Sequence, residues 1–265
     1  FAEPNCPGSE LRREHSPFPS LMFLDHGSLL AHSRAFLGVH QLGGSSLAVN
    51  WADEHVGAIL QAFYPGQATG TALADVLFGD YNPAGRLPIT YPRSLADIPE
   101  FTDYSLIGRT YRYLSAPPLY PFGYGLSYTT FEYSELELSQ ARISTSDTLD
   151  VSVRVRNTGT SAGEEVVQLY VSDVEASVRV PHRELRGFAR IYLAPGEERF
   201  LKFRVTPKML ALVDEFGAHV LEPGEFLLSV GGSQPDERSL ELTGAPPQKA
   251  RFAVVGQTRK FVDKA

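Results

Sequence analysis

Three pairs of carboxylates are spaced closely enough to invite an acid–base reading: Asp53 with Glu54, Asp75 with Asp80, and Glu164 with Glu165. Two carboxyl groups cleave a glycosidic bond with retention only when they flank it about 5–5.5 Å apart. Adjacency in sequence does not supply that geometry. Asp53-Glu54 falls where the first turn of a helix favours negative charge, and Glu164-Glu165 follows a turn on a strand read as solvated. No catalytic residue is assigned from them. Four of the seven histidines, His15, His26, His32 and His40, lie at long irregular intervals that lack metal-ligand spacing, so no metal is assigned. Gly123-Tyr124-Gly125 lacks the third glycine of a dinucleotide fingerprint, and residues 66–71 (GQATGT) lack the lysine of a P-loop. The surroundings of Ser127 fail the GxSxG pattern of a serine nucleophile. No cofactor is assigned.

The densest chemistry lies in residues 108–131, GRTYRYLSAPPLYPFGYGLSYTTF. Its prolines and glycines suit neither a helix interior nor a central strand, so an ordered irregular strap is expected. Tyrosine offers a face for stacking and a hydroxyl for hydrogen bonding. Arg109 and Arg112, set among tyrosines, can stack and still present planar donors. The rings, Tyr111, Phe122 and Tyr124 among them, therefore read either as one wall of a sugar site or as filling for a seam between two domains, and Arg109 and Arg112 either as recognising a hydroxyl or carboxylate or as an ion pair that locks the strap. Residue chemistry leaves both open.

The strap divides two kinds of text. Before it, residues 46–51 (SLAVNW) read as a buried parallel strand and residues 52–63 as a helix. Tyr64-Pro65-Gly66 stops that helix, and residues 68–78 form a second one closed by Gly79. Residues 80–85 make a turn, and residues 86–91 an edge strand weakened by Pro88. Residues 1–44 show no period, with at most a short helix over 20–36. After the strap the period becomes two. Leu149, Val151, Val153 and Val155 alternate with polar residues, and further strands fit 165–172, 185–193, 198–205 and 225–231. Short strands with regular turn signals give an immunoglobulin-like sandwich. Residues 245–265 read as a tail, with 251–255 adding at most an edge strand.

At 265 residues the chain holds two ordinary domains. A net charge of −7 without any Lys/Arg run argues against a nucleic-acid partner, and no apolar run is long enough to cross a bilayer. Cys6 is the single cysteine, so no internal disulfide framework is possible.

Several ordered motifs resemble one family. Tyr64-Pro65-Gly66-Gln67, residues 72–86 (ALADVLFGDYNPAGR), Leu87-Pro88, residues 108–113 (GRTYRY) and residues 119–128 (LYPFGYGLSY) are similar to the C-terminal part of glycoside hydrolase family 3. The β-xylosidases and β-glucosidases are the nearest members. The later half resembles that family's fibronectin type III-like domain at Asn157-Thr158-Gly159, residues 163–170 (GEEVVQLY), Pro181, Glu184-Leu185, Gly187-Phe188, residues 193–197 (LAPGE) and residues 223–226 (PGEF). The resemblance spans about residues 45–233.

The fold class it implies is an α/β remnant, the end of a three-layer sandwich domain, over residues 45–107. The strap follows over 108–131, then a fibronectin III-like sandwich over 132–244. Family members hydrolyse β-linked sugars from non-reducing ends by a retaining double displacement. Their aspartate nucleophile sits on an N-terminal (β/α)8 barrel, and their glutamate acid/base on the following α/β domain. Nothing like the acid/base setting Glu-x-Glu-Gly-x-Asp-Arg occurs before Ser45, and Glu10 and Glu14 have no supporting neighbours. Residues 1–44 also lack the apolar strand and helix expected there, as a frame-shifted or truncated gene would. The chain is thus expected to act on a β-linked oligosaccharide or aryl glycoside only with a barrel-bearing chain. The alternatives are a non-catalytic sugar-binding or protein-docking sandwich, or a chain in which only the sandwich folds.

Overall fold

The computed structural model describes the backbone of residues 22–25 and 37–40 and all of residues 46–261. Glu10, Glu14, Cys6, His15, His26 and His32 lie outside the described residues. Strand β1 (Met22–Asp25) pairs antiparallel, and β2 (Leu37–His40) parallel, with a central β3 (Ala58–Gln61). The strand at Met22–Asp25 replaces part of the helix expected over 20–36, and two strands stand where no apolar strand was expected.

The first elements after residue 45 are also exchanged. Residues 46–49 are irregular, helix α1 is Asn50–His55, and all four residues of β3 are buried. Burial of all four residues means that both faces of the strand are covered, so it lacks the alternation of a half-exposed strand. Ile59, Leu60 and Phe63 match a helical stripe equally well, and Gly57 marks the true break. Helix α2 (Thr69–Phe78) forms as expected and ends on Gly79 at φ 85°. Residues 86–91 form no ladder. Leu87 N–H donates to Tyr124 O (2.9 Å), Gly123 N–H to Leu87 O (2.7 Å), and Tyr91 N–H to Tyr120 O (2.9 Å). Pro88 interrupts pairing as its missing donor requires, and the partner is the strap itself.

The strap is irregular apart from one turn of helix, α3 (Thr110–Tyr113). Beyond it come β4 (Phe131–Leu138), β5 (Arg142–Ser144), β6 (Leu149–Asn157), β7 (Gly163–Asp173), β8 (Glu184–Leu193) and β9 (Glu198–Val205). Then follow β10 (Leu212–Val213), β11 (His219–Leu221), β12 (Gly224–Gly231), helix α4 (Glu237–Thr243), β13 (Gln248–Val255) and β14 (Arg259–Phe261). A five-stranded sheet, β5-β13-β12-β7-β8, faces a three-stranded sheet, β4-β6-β9, and β10-β11-β14 make a small third sheet. Val151, Val153 and Val155 from one sheet pack with Val167, Leu169, Phe226 and Phe252 from the other.

The tail expected from residue 245 is a correction. Strand β13 lies between β12 and β5 inside the large sheet, and its Phe252 is buried against Phe226 with ring centroids 5.4 Å apart. Residues 248–252 (QKARF) carry three long polar side chains among their first four, Gln248, Lys249 and Arg251, which hide the strand in the sequence; its backbone satisfies two ladders at once.

Candidate functional site

The strap lies between the α/β segment and the sandwich, and the four residues singled out on it have three different surroundings. Arg109 turns back on the preceding loop, where its Nη2 donates to the carbonyls of Pro99 (3.2 Å), Glu100 (2.5 Å) and Asp103 (3.0 Å). Tyr111 stacks on Phe122 at 4.2 Å and 17°, and meets the edge of Tyr170 at 6.1 Å. Its hydroxyl accepts from Leu185 N–H at 3.1 Å, which ties α3 to β8. Arg112 pairs with Glu184 at 3.4 Å on the same strand. Tyr124 is fully buried and stacks on Tyr120 at 5.9 Å. The structure thus joins Tyr111 to Phe122, and places Arg109 and Tyr124 in surroundings of their own.

Tyr120 and Tyr91 complete the inner aromatic layer. Tyr120 hydroxyl donates to Asp53 Oδ1 at 2.5 Å, and burial, followed by the Asp53 hydrogen bond and charge, raises its phenol far above the usual range. Asp53 is therefore held by a buried phenol. Tyr91 packs edge-on to Tyr120 at 6.2 Å, and among the described residues its buried hydroxyl has no hydrogen-bond partner. Burial pushes this phenol up to about 12. The raised value means that the fold prefers neutral Tyr91, so the associated stability is complete below pH about 10 and falls as pH rises towards 12. The variant Tyr91→Phe is expected to lose part of that alkaline fall. At neutral pH it should match or exceed the parent by up to about 1 kcal/mol, because it removes an unpaired buried hydroxyl. Urea unfolding at pH 7 and pH 11 checks both.

The carboxylate pairs dissolve on inspection of their strands. Successive strand residues point to opposite faces, so Glu164 and Glu165 of β7 part company. Glu164 accepts from Tyr81 hydroxyl at 3.1 Å and from Arg190. Glu165 is 2% exposed, contrary to the solvated position expected. It is held by Arg86 Nη2 and by Tyr133 hydroxyl, each at 2.6 Å. Asp75 sits on α2 and Asp80 beyond its cap. Glu164 and Glu165 do not present two carboxyl groups to one bond.

Several residues that hold this seam went unrecognised in the sequence. Asn82 donates to Ala162 O (2.9 Å) and accepts from Ser127 hydroxyl (2.8 Å) and Tyr128 N–H (2.7 Å). Gln168 Nε2 donates to Gly123 O (2.9 Å) and Gly232 O (2.7 Å), while its Oε1 accepts from Tyr170 hydroxyl at 2.6 Å. A cleft of about 210 Å³ opens beside Arg86, Glu165, Tyr133 and Thr129. A wider hollow of about 550 Å³ lies on β4-β6-β9, where Arg204 and Asp150 pair at 3.0 Å. Chemically, the seam can position and bury groups, and its Arg86–Glu165 and Arg190–Glu164 charges are matched. Among the described residues no cluster of side chains suits a metal ion, and no helix is long and apolar enough to cross a membrane.

The Glycosyl hydrolase family 3 C-terminal domain matches residues 29–128, and the Fibronectin type III-like domain matches residues 165–234. The first match begins inside the segment expected to be foreign to the family. The chain is 39% identical over 232 residues to the thermostable β-glucosidase B of Acetivibrio thermocellus, covering 80% of this chain and 30% of that protein. It is 42% identical over 202 residues to a xylan 1,4-β-xylosidase of Xylanibacter ruminicola, covering 76% and 23% respectively. The β-glucosidase 3B of Thermotoga neapolitana, solved in complex with α-D-glucose, superposes with a TM-score of 0.72 at 34% identity, over 85% of this chain and 32% of that one. The β-glucosidase of Listeria innocua, solved with gluconolactone, superposes with a TM-score of 0.71 at 30% identity, over 84% and 31%. This chain therefore spans about a third or less of the length of these relatives. With both domains matched in order, the chain belongs to glycosyl hydrolase family 3, of which it carries the C-terminal domain followed by a fibronectin type III-like domain.

Proposed function

We propose that the chain is the C-terminal portion of a family 3 β-glucosidase or β-xylosidase and is not catalytic alone. It serves hydrolysis of β-linked glucose or xylose from non-reducing ends when a barrel-bearing chain supplies the nucleophile. On this reading the α/β segment is the end of a three-layer sandwich domain. Arg109, Tyr111, Phe122 and Tyr124 support the sugar-facing side from the strap, and the substrate is a β-linked oligosaccharide or an aryl β-glycoside.

The observation that carries the proposal is the state of the carboxylates. Asp53, Glu164 and Glu165 are each engaged by a tyrosine or arginine within the fold. A retaining reaction needs two carboxyl groups at one bond, and binding surface alone cannot stabilise that transition state. Hydrolysis of aryl β-glucoside and aryl β-xyloside tests it, with the chain alone and after mixing with a barrel-bearing fragment from the same source. The expected result is silence alone and turnover on mixing. Turnover by the chain alone overturns the reading, as does silence of a mixture whose two parts demonstrably associate.

A further inference from the structure

Exposed apolar residues concentrate in one loop of the α/β segment. Leu95, Phe101, Tyr104, Leu106 and Ile107 are 84%, 89%, 88%, 52% and 48% exposed, five large side chains within thirteen positions. Single exposed apolar residues carry no message, whereas a contiguous set marks an interaction surface. The loop is not exposed for want of internal order. Ser94 and Asp97 cap its first turn reciprocally. Asp103 N–H donates to Glu100 O at 2.9 Å, Ser105 N–H to Asp103 Oδ1 at 2.8 Å, and Arg109 N–H to Leu106 O at 3.0 Å. Arg109 Nη2 then gathers three carbonyls from its base. Gly108, at φ 72°, brings the chain back within reach of the Pro99 ring. The polar groups are thus satisfied inward while the rings project outward. That arrangement pre-pays the ordering cost of an interface.

We propose that the lobe 94–108 is a docking surface for the complementary portion of a family 3 polypeptide. That portion is the two thirds or more of the relatives' length that this chain does not span. Three features point to this occupant rather than to a second copy or an unrelated protein. The lobe lies within the stretch matched to the family's C-terminal domain. It runs directly into the strap, where Tyr111 and Phe122 stack beside Tyr170 of the sandwich and Tyr120 and Tyr124 pack with Tyr91. The relatives carry about two thirds of their length outside the part that this chain matches, so the family supplies a further portion of polypeptide for such a surface to meet. Arg109 is then a positioning residue for the lobe. The proposal rests on the reading that a barrel-bearing partner completes the enzyme.

The test measures association instead of turnover. The β-glucosidase B of Acetivibrio thermocellus, shortened by the part that aligns with this chain, is titrated with wild-type chain and with variants by calorimetry. Wild type is expected to bind. The double variant F101S/Y104S, which alters only exposed side chains, should bind about 100-fold more weakly, as loss of central aromatic anchors does. Phe216→Ser, an exposed aromatic on the sandwich (85% exposed), should bind as wild type. Arg109→Ala should weaken binding while the far-UV spectrum stays unchanged. Equal binding by F101S/Y104S and wild type overturns the lobe alone. Absence of binding by wild type overturns the two-chain reading and the lobe with it. A dimer of this chain that F101S/Y104S dissolves assigns the surface to a second copy and overturns the proposal.

Discussion

Replacing Arg86 by alanine is expected to destabilise the chain by about 3–5 kcal/mol, a large fraction of a typical domain's total. The reason lies in what is left behind. The side chains of Arg86 and Glu165 are only 9% and 3% exposed, and their ion pair closes at 2.6 Å. Without the guanidinium, Glu165 keeps only the Tyr133 hydroxyl, at 2.6 Å, as a partner for a buried charge. A Cβ on Gly232 would come within 2.6 Å of Glu165 Oε1, so backbone packs close against one side of the carboxylate, while the cleft of about 210 Å³ lies on another. The size of the loss therefore reports an uncompensated carboxylate and not the net worth of the pair. Adding Glu165→Gln makes the distinction measurable, since glutamine still accepts from Tyr133 but carries no charge. The double variant R86A/E165Q should unfold at a higher urea concentration than R86A alone. Circular dichroism through the urea transition reads both, and equal midpoints for the two variants would rule out the charge argument.

Much of this architecture can be read before folding, and what cannot has identifiable causes. Strand β6 is visible because one face is buried and the other wet, so Leu149 to Val155 alternate. Strand β3 is hidden because both faces are covered, and a short run such as Ala58-Ile59-Leu60 without alternation fits helix and strand alike. Strand β13 is hidden for another reason: its partner β5 is only three residues long and runs parallel to it, a pairing set by topology and not by local pattern. The seam follows the same logic. Arg86 and Glu165 both stand inside family-like motifs, but their pairing crosses 79 positions, and no local rule encodes it. One signal was available. Glu165 is in phase with Val167, Leu169 and Val171 on β7, so the period of two places it on the buried side, where a carboxylate requires a cation. For Arg109 the residue type left recognition and strap-locking both open, and no local rule points to the carbonyls of Pro99, Glu100 and Asp103 that its guanidinium meets.

The second large effect is expected at Gly123, where the strap meets the sandwich. Its φ of 76° is left-handed, a conformation that costs a non-glycine residue about 1–2 kcal/mol. A Cβ there would lie 2.0 Å from Gln168 Oε1 and 2.9 Å from Tyr170 hydroxyl. A surface glutamine would simply swing away. Gln168 is 2% exposed, and its amide is fixed by Gly123 O, Gly232 O and Tyr170 hydroxyl. Moving it leaves buried donors and acceptors unpaired at about 1–3 kcal/mol each. Gly123→Ala is therefore expected to cost about 3–5 kcal/mol in all, by the sum of these terms. The two terms separate in the background of Gln168→Ala, which already lacks the obstructing amide. There the glycine substitution should cost the backbone strain and the adjustment of the Tyr170 hydroxyl but not the displaced amide, so the two variants combine to less than their sum. Full additivity would mean that the strap bears no steric relation to Gln168, and the seam would have to be held elsewhere. The predicted shortfall makes Gly123 the point where a backbone conformation, legible as one glycine among aromatics, decides whether the two halves of the chain stay docked.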